Sequence, residues 1–484
     1  MKSFKDAVVT GTTIEALTAN GAKSLATSRK ASVDLFYKTC RGLDSTNLSD
    51  LLEKSWKESP LDTLKIMAYV RDIRGGKGER KIFRDFLVWL ANNSRKNLEM
   101  NLDLFIGEYG RYDDLNALLG SGAESVAINY YSEILTKDLC NIDFKITLAA
   151  KWIPSEGKSM DKKHKIVAKI AKVLGVNKAE LRTKYLTPLR NRIKIVESQM
   201  CSNDWNSINF EHVPSVAMKK YSKAFKKHQE ERFGLYLKNL SEGNAKVNAK
   251  DLFPHEIVKE YLDKREVDPL LEAQWKVILE KSPKMDDLLV LSDVSGSMSG
   301  TPMNVSIALG LLISSLTNEA FRDLVLTFEA KPKFHHVTGD TLFERVKSLE
   351  KADWGGNTNF IAAIDEILSV AQNKGVKPEE MPKKLIVISD MQFDYADRNY
   401  NTNYEALVRR YNAVGYQVPL LVFWNVNGST KDIPVTFDTP GAALVSGFST
   451  DILKSILGNE DFTPWNIVRS AIDTERYGGI KYLE

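Results

Sequence analysis

The sequence predicts two fold classes in one chain: an all-α helical-repeat module, then an α/β doubly wound, mostly parallel sheet. Three observations carry this. Apolar residues recur at spacings of three and four through residues 1–284. From residue 285, short unbroken apolar runs alternate with helical patterns. The charge also changes sign: of the net +4, residues 1–284 carry about +12 and residues 285–484 about −8.

The first module contains amphipathic segments such as Ile82-Phe83-Phe86-Leu87-Trp89-Leu90, with one buried face. Further segments are Leu61–Val70, Ile142–Trp152, Ile166–Leu174 and Ile193–Met200. Short breaks at 74–78, 119–122 and 154–157 separate helix pairs, as in an α-solenoid of HEAT-like units. No strict repeat is visible. The break Arg74–Gly78 lacks the spacing of a phosphate-binding P-loop, and Glu79 follows where Ser or Thr is needed. It reads as a helix–helix turn with Arg71, Arg74, Lys77 and Arg80 on one rim. Asp72, Asp113 and Asp114 read as salt-bridge or capping partners.

In the second half, the candidate strands are Leu288–Leu291, Leu324–Phe328, Leu385–Ile388, Leu420–Trp424 and Ala442–Val445. Runs of four or five apolar residues suit strands buried on both faces. Helices are expected at Asn304–Leu316, Thr341–Leu349, Phe360–Gln372, Tyr404–Val414 and Ser449–Leu457. Ile257–Leu279 reads as a helical connector broken near Pro269. The expected domains are therefore 1–284, 285–460 and a tail, 461–484, that packs back on the helical module, with Trp465 and Ile467 buried at that junction.

Composition narrows the function classes. At ~100–200 residues per domain, 484 residues make two to four domains. A 43% hydrophobic and 27% charged chain is neither mainly disordered nor collagen-like. Cys40, Cys140 and Cys201 form no CxxC pair, which suits a reducing, cytoplasmic setting and argues against a zinc ribbon. The start, MKSFKDAVVTGTT, has no apolar run of signal-peptide length, and no stretch is long enough to span a bilayer.

The first buried strand ends in Asp293-Val294-Ser295-Gly296-Ser297. Ligands of such sheets bind beyond the carboxyl ends of the strands. One Asp with two hydroxyls on alternate residues offers hard oxygen donors for a cation such as Mg²⁺. Alone, this is also ordinary turn composition. Thr358, in a Gly-rich loop opening a helix, and Asp390, ending the strand Leu385–Asp390, would reach the same sheet edge. The ordered set resembles the von Willebrand factor A family over about 285–460. That resemblance implies hydroxyl ligands at Ser295, Ser297 and Thr358, with Asp293 and Asp390 binding directly or through water. It also implies an open coordination position for a partner's carboxylate, although the motif can persist with only water at the ion.

The helical half has its basic maximum at Lys158–Lys194, with twelve Lys/Arg against two acids. Candidate phosphate contacts are Lys162, Lys163, Lys165, Lys169, Lys172, Arg182, Lys184, Arg190, Arg192 and Lys194. Lys219, Lys220 and Lys223 follow, with Lys226 and Lys227 beside them. Lys/Arg clusters neutralise phosphates whatever the base sequence. Tyr185, Tyr221 and Phe225 are interleaved and could stack on bases; the plainer reading is solvated helix faces with the aromatics in a core.

Four strings complete the pattern: Tyr69–Arg80, Gly110–Leu115, Lys151–Glu156 and Trp205–Lys220 with Phe210–Ser215 inside it. Together with a C-terminal A domain, they look like the Ro/TROVE RNA-binding family, in a branch that joins a helical module to an A domain. The resemblance implies a monomeric ring of helical repeats closed by the A domain, binding structured or misfolded non-coding RNA and its single-stranded ends. The six histidines show no metalloprotease spacing, and Ser295 and Ser297 have no evident His base. His335-His336 reads as part of an exposed edge strand. No catalytic set is expected; a one-metal nuclease would need more carboxylates. The alternative is a protein-interaction scaffold whose A domain grips an acidic partner through the metal ion.

Overall fold

The computed structural model describes residues 15–141, 145–193, 195–249, 252–328, 331–351, 358–395, 402–430, 432–457 and 461–484. They fall into two compact units, Met1–Glu79 with Asn239–Gly478, and Arg80–Lys238 with Gly479–Glu484. The expected boundary at residue 284 therefore lies inside the first unit. Helices from before it and strands from after it share one core.

That core is a six-stranded sheet: β3 (Leu288–Ser292), β4 (Leu324–Thr327), β5 (Lys333–His336), β6 (Lys384–Ser389), β7 (Leu420–Asn425) and β8 (Ala442–Ser446). The order is β5-β4-β3-β6-β7-β8. All pairs are parallel except β4–β5, so the His335-His336 strand is the antiparallel edge. The central strands β3, β6 and β7 are buried along nearly their whole length, which is why they read as unbroken apolar runs. The flanking helices include Thr301–Leu316, Leu342–Glu350, Phe360–Lys374 and Asn403–Val414, close to expectation. The Ser449–Leu457 helix shrinks to Ile452–Ile456. The connector is indeed two helices, Pro254–Asp263 and Pro269–Lys281, each with proline in the first turn, where its missing N–H costs nothing.

The N-terminal segment belongs to this unit too. Two three-residue strands, β1 (Glu15–Leu17) and β2 (Lys23–Leu25), form a hairpin absent from the helical expectation. Helices Ala31–Lys38, Ser45–Glu58 and Pro60–Arg71 follow. The Asp44 carboxylate accepts the N–H groups of Thr46 and Asn47 at 3.0 and 2.9 Å, starting the second helix. Ala31–Lys38 packs against β8, the other edge strand. The Pro464–Ile472 helix joins this packing: Ile467 is buried, Trp465 half-buried under the Lys30 ammonium, and Arg469 pairs with Asp62 at 2.7 Å.

The Arg74–Gly78 turn departs from its expected rim. Arg74 and Arg80 are exposed, but Arg71 and Lys77 are buried. The Lys77 ammonium reaches the carbonyls of Phe36 and Thr39, the Thr39 hydroxyl at 3.4 Å and the Ser446 hydroxyl at 2.8 Å. One lysine thus ties the first helix to β8. Gly76 makes the turn possible, since a Cβ there would sit 2.0 Å from the Tyr69 carbonyl oxygen. Asp72 is a salt-bridge partner, as expected: it accepts from Arg476 and, at 3.0 Å, from the Tyr477 hydroxyl.

The second unit is helical, from Arg80–Asn93 to Glu230–Ser241. Arg84 binds Asp113 at 2.8 Å and Asp114 at 2.7 Å, and Asp114 also accepts the Arg111 N–H at 3.0 Å. The expected Ile142–Trp152 helix reduces to Ala149–Trp152, with residues 142–144 outside the described set. Thr147 instead gives its N–H and hydroxyl to Asp138 at 3.0 and 2.6 Å, so that carboxylate competes with helical bonding. The last residues pack here as well: Asn97 and Asn101 each exchange two hydrogen bonds with the backbone of Leu483 and Lys481.

Candidate metal centre and basic surface

The metal candidates lie where β3 and β6 end side by side. The Asp293 N–H still donates to the Ile388 carbonyl at 2.9 Å, so the ladder carries that residue to the sheet edge. The chain then turns through Gly296–Met298. Asp293 is fully buried; its Oδ1 accepts the Ser295 N–H at 2.9 Å and its Oδ2 the Ser389 hydroxyl at 2.5 Å. The Ser295 and Ser297 hydroxyl oxygens are 3.1 Å apart. The Ser297 side chain also hydrogen-bonds Asp390, whose Oδ1 accepts the Gln392 N–H at 3.1 Å. Four of the five candidates thus meet. Thr358 is buried on the neighbouring loop, and its carbonyl accepts the Asp394 N–H at 2.9 Å. Phe360 and Phe393, 5.2 Å apart, pin that loop to the one after β6. Residues 352–357, the rest of the Gly-rich loop, lie outside the described residues.

Burial pushes the Asp293 carboxyl up to about 6, with the charge of Asp390 adding to it and hydrogen bonds from Ser389 and Ser295 opposing. Asp390 is raised for the same first reason, with Asp432 adding repulsion. Among the described residues, neither carboxylate has a Lys or Arg partner. Two buried acids with nearby hydroxyls, and no lysine or arginine paired with them among the described residues, fit a divalent ion chemically. Ser297 is exposed, so the cluster opens to solvent on that side.

Two supporting residues, Ser389 and Gln392, were not foreseen. Ser389 donates to Asp293 and accepts the Met391 N–H at 3.0 Å, and Met391 adopts φ +66°. Gln392 bridges Asp432, at 2.7 Å, to the Ala19 N–H, at 2.6 Å, seating the hairpin beside the site. Ser389 had a signal, since it precedes Asp390 at the strand end. Gln392 had none, because its partners are remote in sequence.

The phosphate-contact candidates divide by exposure. Lys162, Lys163, Lys165, Lys172, Arg182, Lys184, Arg192, Lys219, Lys220 and Lys223 are exposed. Lys194 lies outside the described residues. Four candidates also serve the fold. Lys169 pairs with Glu124 and Lys184 with Glu180. Arg190 donates to the carbonyls of Ala150 at 2.8 Å and Ile153 at 3.1 Å, and Arg192 to those of Asp138 and Asn141. Lys162, Lys163 and Lys165 sit at a sharp joint held by Asp161, which accepts the N–H groups of Gly157 and Val167 at 2.9 Å each. Of the aromatics, Phe225 is no stacking surface: it is buried in a cluster with Phe210, Phe233 and Tyr236. Tyr185 and Tyr221 remain half-exposed.

Residues 18–119 and 114–286 match the model of a family described as a domain of unknown function (DUF2828). Residues 287–476 match a second, also described as a domain of unknown function (DUF7788). An uncharacterized protein, L728, of Acanthamoeba polyphaga mimivirus is 32% identical over 497 residues, covering 94% of this chain and 87% of that one. Among solved structures, the RO (RSR) protein of Deinococcus radiodurans is similar at 14% identity and a TM-score of 0.39, covering 89% of this chain and 92% of that one.

Proposed function

The chain belongs to the DUF2828 family, and we propose that it is a non-catalytic RNA-binding protein. One observation carries this reading. The second unit bears about +10 against about −6 for the first, and its charge comes from residues 158–238, where the lysines are mostly exposed. Such a surface releases counterions from a phosphate backbone on binding, without reading sequence. The fitting partner is a structured or misfolded RNA with unpaired ends. Among the described residues, no helix is long and apolar enough to cross a membrane. The reading places the protein in the reducing cytoplasm.

The same proposal gives the first unit a Mg²⁺ ion at Asp293, Ser295, Ser297, Thr358 and Asp390. Bound there, the ion would neutralise two buried carboxylates and offer a partner's acid an open position. Exposed Ser297 favours a second reading, in which the sheet edge grips an acidic protein and the helical unit is an arm. Titrating a labelled stem-loop RNA with a single-stranded tail into the full chain tests the first reading. Saturable binding at 50 mM salt supports it; no binding at that salt sinks it and leaves the scaffold reading. Cleavage of the RNA in Mg²⁺ but not EDTA would instead make the protein a nuclease.

A further inference from the structure

On the second unit, the rings of Trp205 and His228 stack face to face, 4.1 Å apart and 4° from parallel. His228 is exposed and Trp205 half-buried. The stack is held from behind. The Trp205 indole N–H donates to Asn203 Oδ1 at 2.8 Å. Arg232 donates to the Trp205 carbonyl at 3.2 Å and the Ile208 carbonyl at 3.0 Å. Gln229 reaches Asn206 at 3.0 Å. The rings are therefore placed before any ligand arrives.

Cations lie alongside. His228 ends the helix Ser215–His228, on which Lys219, Lys220, Lys223, Lys226 and Lys227 are all exposed. Spacings of three and four put Lys220, Lys223 and Lys227 in one row. Tyr221 and His228, seven residues apart, share the adjoining row, with about 10 Å between them along the axis. The Lys220 ammonium lies 5.0 Å from the Tyr221 ring centre. A line of positive charge beside pre-placed aromatic faces is the arrangement that binds a single strand: the charges take phosphates and the rings take bases. A duplex meets only the charges, because its base faces are already stacked.

We propose that the outer face of the His228 ring, backed by the Trp205 indole stacked on its other face, is a platform for an unpaired nucleobase, with Lys220, Lys223 and Lys227 holding the adjoining phosphates. This rests on the RNA-binding reading and extends it from phosphates to base faces. Stacking does not read the sugar, so single-stranded RNA and DNA share the chemistry.

The test uses the full chain and three fluorescein-labelled probes at 100 mM salt: a ten-nucleotide oligoadenylate RNA, its DNA counterpart and a blunt RNA duplex. His228→Ala should weaken both single strands by roughly five- to 150-fold, the range of one lost base–aromatic stack, and Trp205→Ala, which removes the backing of that ring, should weaken both by a smaller factor. Duplex affinity should stay within about twofold, and Trp205→Phe should recover most of the loss. Replacing Lys220, Lys223 and Lys227 together with Ala should weaken all three probes. If Trp205→Ala fails to fold by circular dichroism, His228→Ala on the exposed ring decides. Single-strand affinity unchanged in the ring variants, while the lysine variant loses it, overturns the platform and leaves RNA binding standing. An equal loss on the duplex reduces the stack to a fold contact and overturns the platform as well. A wild-type chain that binds none of the probes overturns RNA binding itself, and the platform with it.

Discussion

The two units use charge in opposite ways. The first carries about −6 and buries its decisive ionisable groups: Lys77, Glu79, Asp72 and Asp293 are all 2% exposed or less. The second carries about +10 and leaves most of its cluster lysines in water. A buried charge must be compensated locally, so it specifies structure or a bound ion. An exposed one costs little to hold and remains available to a partner. Lysine number alone says nothing of role: Lys77 holds a helix to a strand, while Lys163 does not. The contrast can be broken at several points.

The largest effect should come from the exposed charges. Raising salt from 50 to 200 mM should lower RNA affinity by ~10³–10⁵ if six to ten phosphates are contacted. Replacing Lys162, Lys163 and Lys165 with Glu should flatten the plot of log affinity against log salt. A salt-indifferent affinity would show that the second unit's charge is not what binds.

Next comes the buried lysine. Lys77→Met leaves the Phe36, Thr39 and Ser446 oxygens without their donor and should destabilise the fold by about 3–5 kcal/mol. Lys172→Ala, on the exposed face, should leave the urea midpoint unchanged. Equal midpoints for the two variants would erase the distinction between the units.

The metal comes third. At a hundredfold excess over Kd, Mg²⁺ should add ~2.7 kcal/mol to stability, seen as a rise in melting temperature over EDTA, with Mn²⁺ acting similarly. Asp293→Ala should abolish that rise yet keep wild-type RNA affinity, since the metal and RNA candidates lie in different units. Identical melts in EDTA, Mg²⁺ and Mn²⁺ would reject the metal reading. Loss of RNA binding in the folded variant would reject the separation of roles.

The smallest effect is a pH dependence. Burial pushes the Lys77 ammonium down to about 7, against the opposing charge of Glu79. In the unfolded chain a lysine keeps its proton to ~10.4. Between these values the unfolded state holds one proton more, so stability should rise with pH. Comparing wild type with Lys77→Met at pH 7, 8 and 9 isolates this, with the gap growing by about 1 kcal/mol per pH unit. A gap that stays flat from pH 7 to 9 would mean that the surrounding oxygens keep Lys77 charged.

Periodicity and spacing determined a good deal unaided. Buried parallel strands must be apolar on both faces, so the core of the sheet and most of its helices were legible from local runs. The pairing of Asp293 and Asp390 at adjacent strand ends follows from the same alternation, because parallel strands bring their carboxyl ends to one edge. Tertiary structure alone decided what depends on contacts far apart in sequence. It placed residues 15–79 in the unit with the sheet, through contacts such as Lys77 to Ser446 and Arg476 to Asp72. It separated Phe225, a core ring, from Tyr221, four residues away and half-exposed on the same helix. It also set His228 flat on Trp205, twenty-three residues apart in sequence. Local sequence sets which residues prefer to be buried; which partners bury them is a property of the whole packed chain.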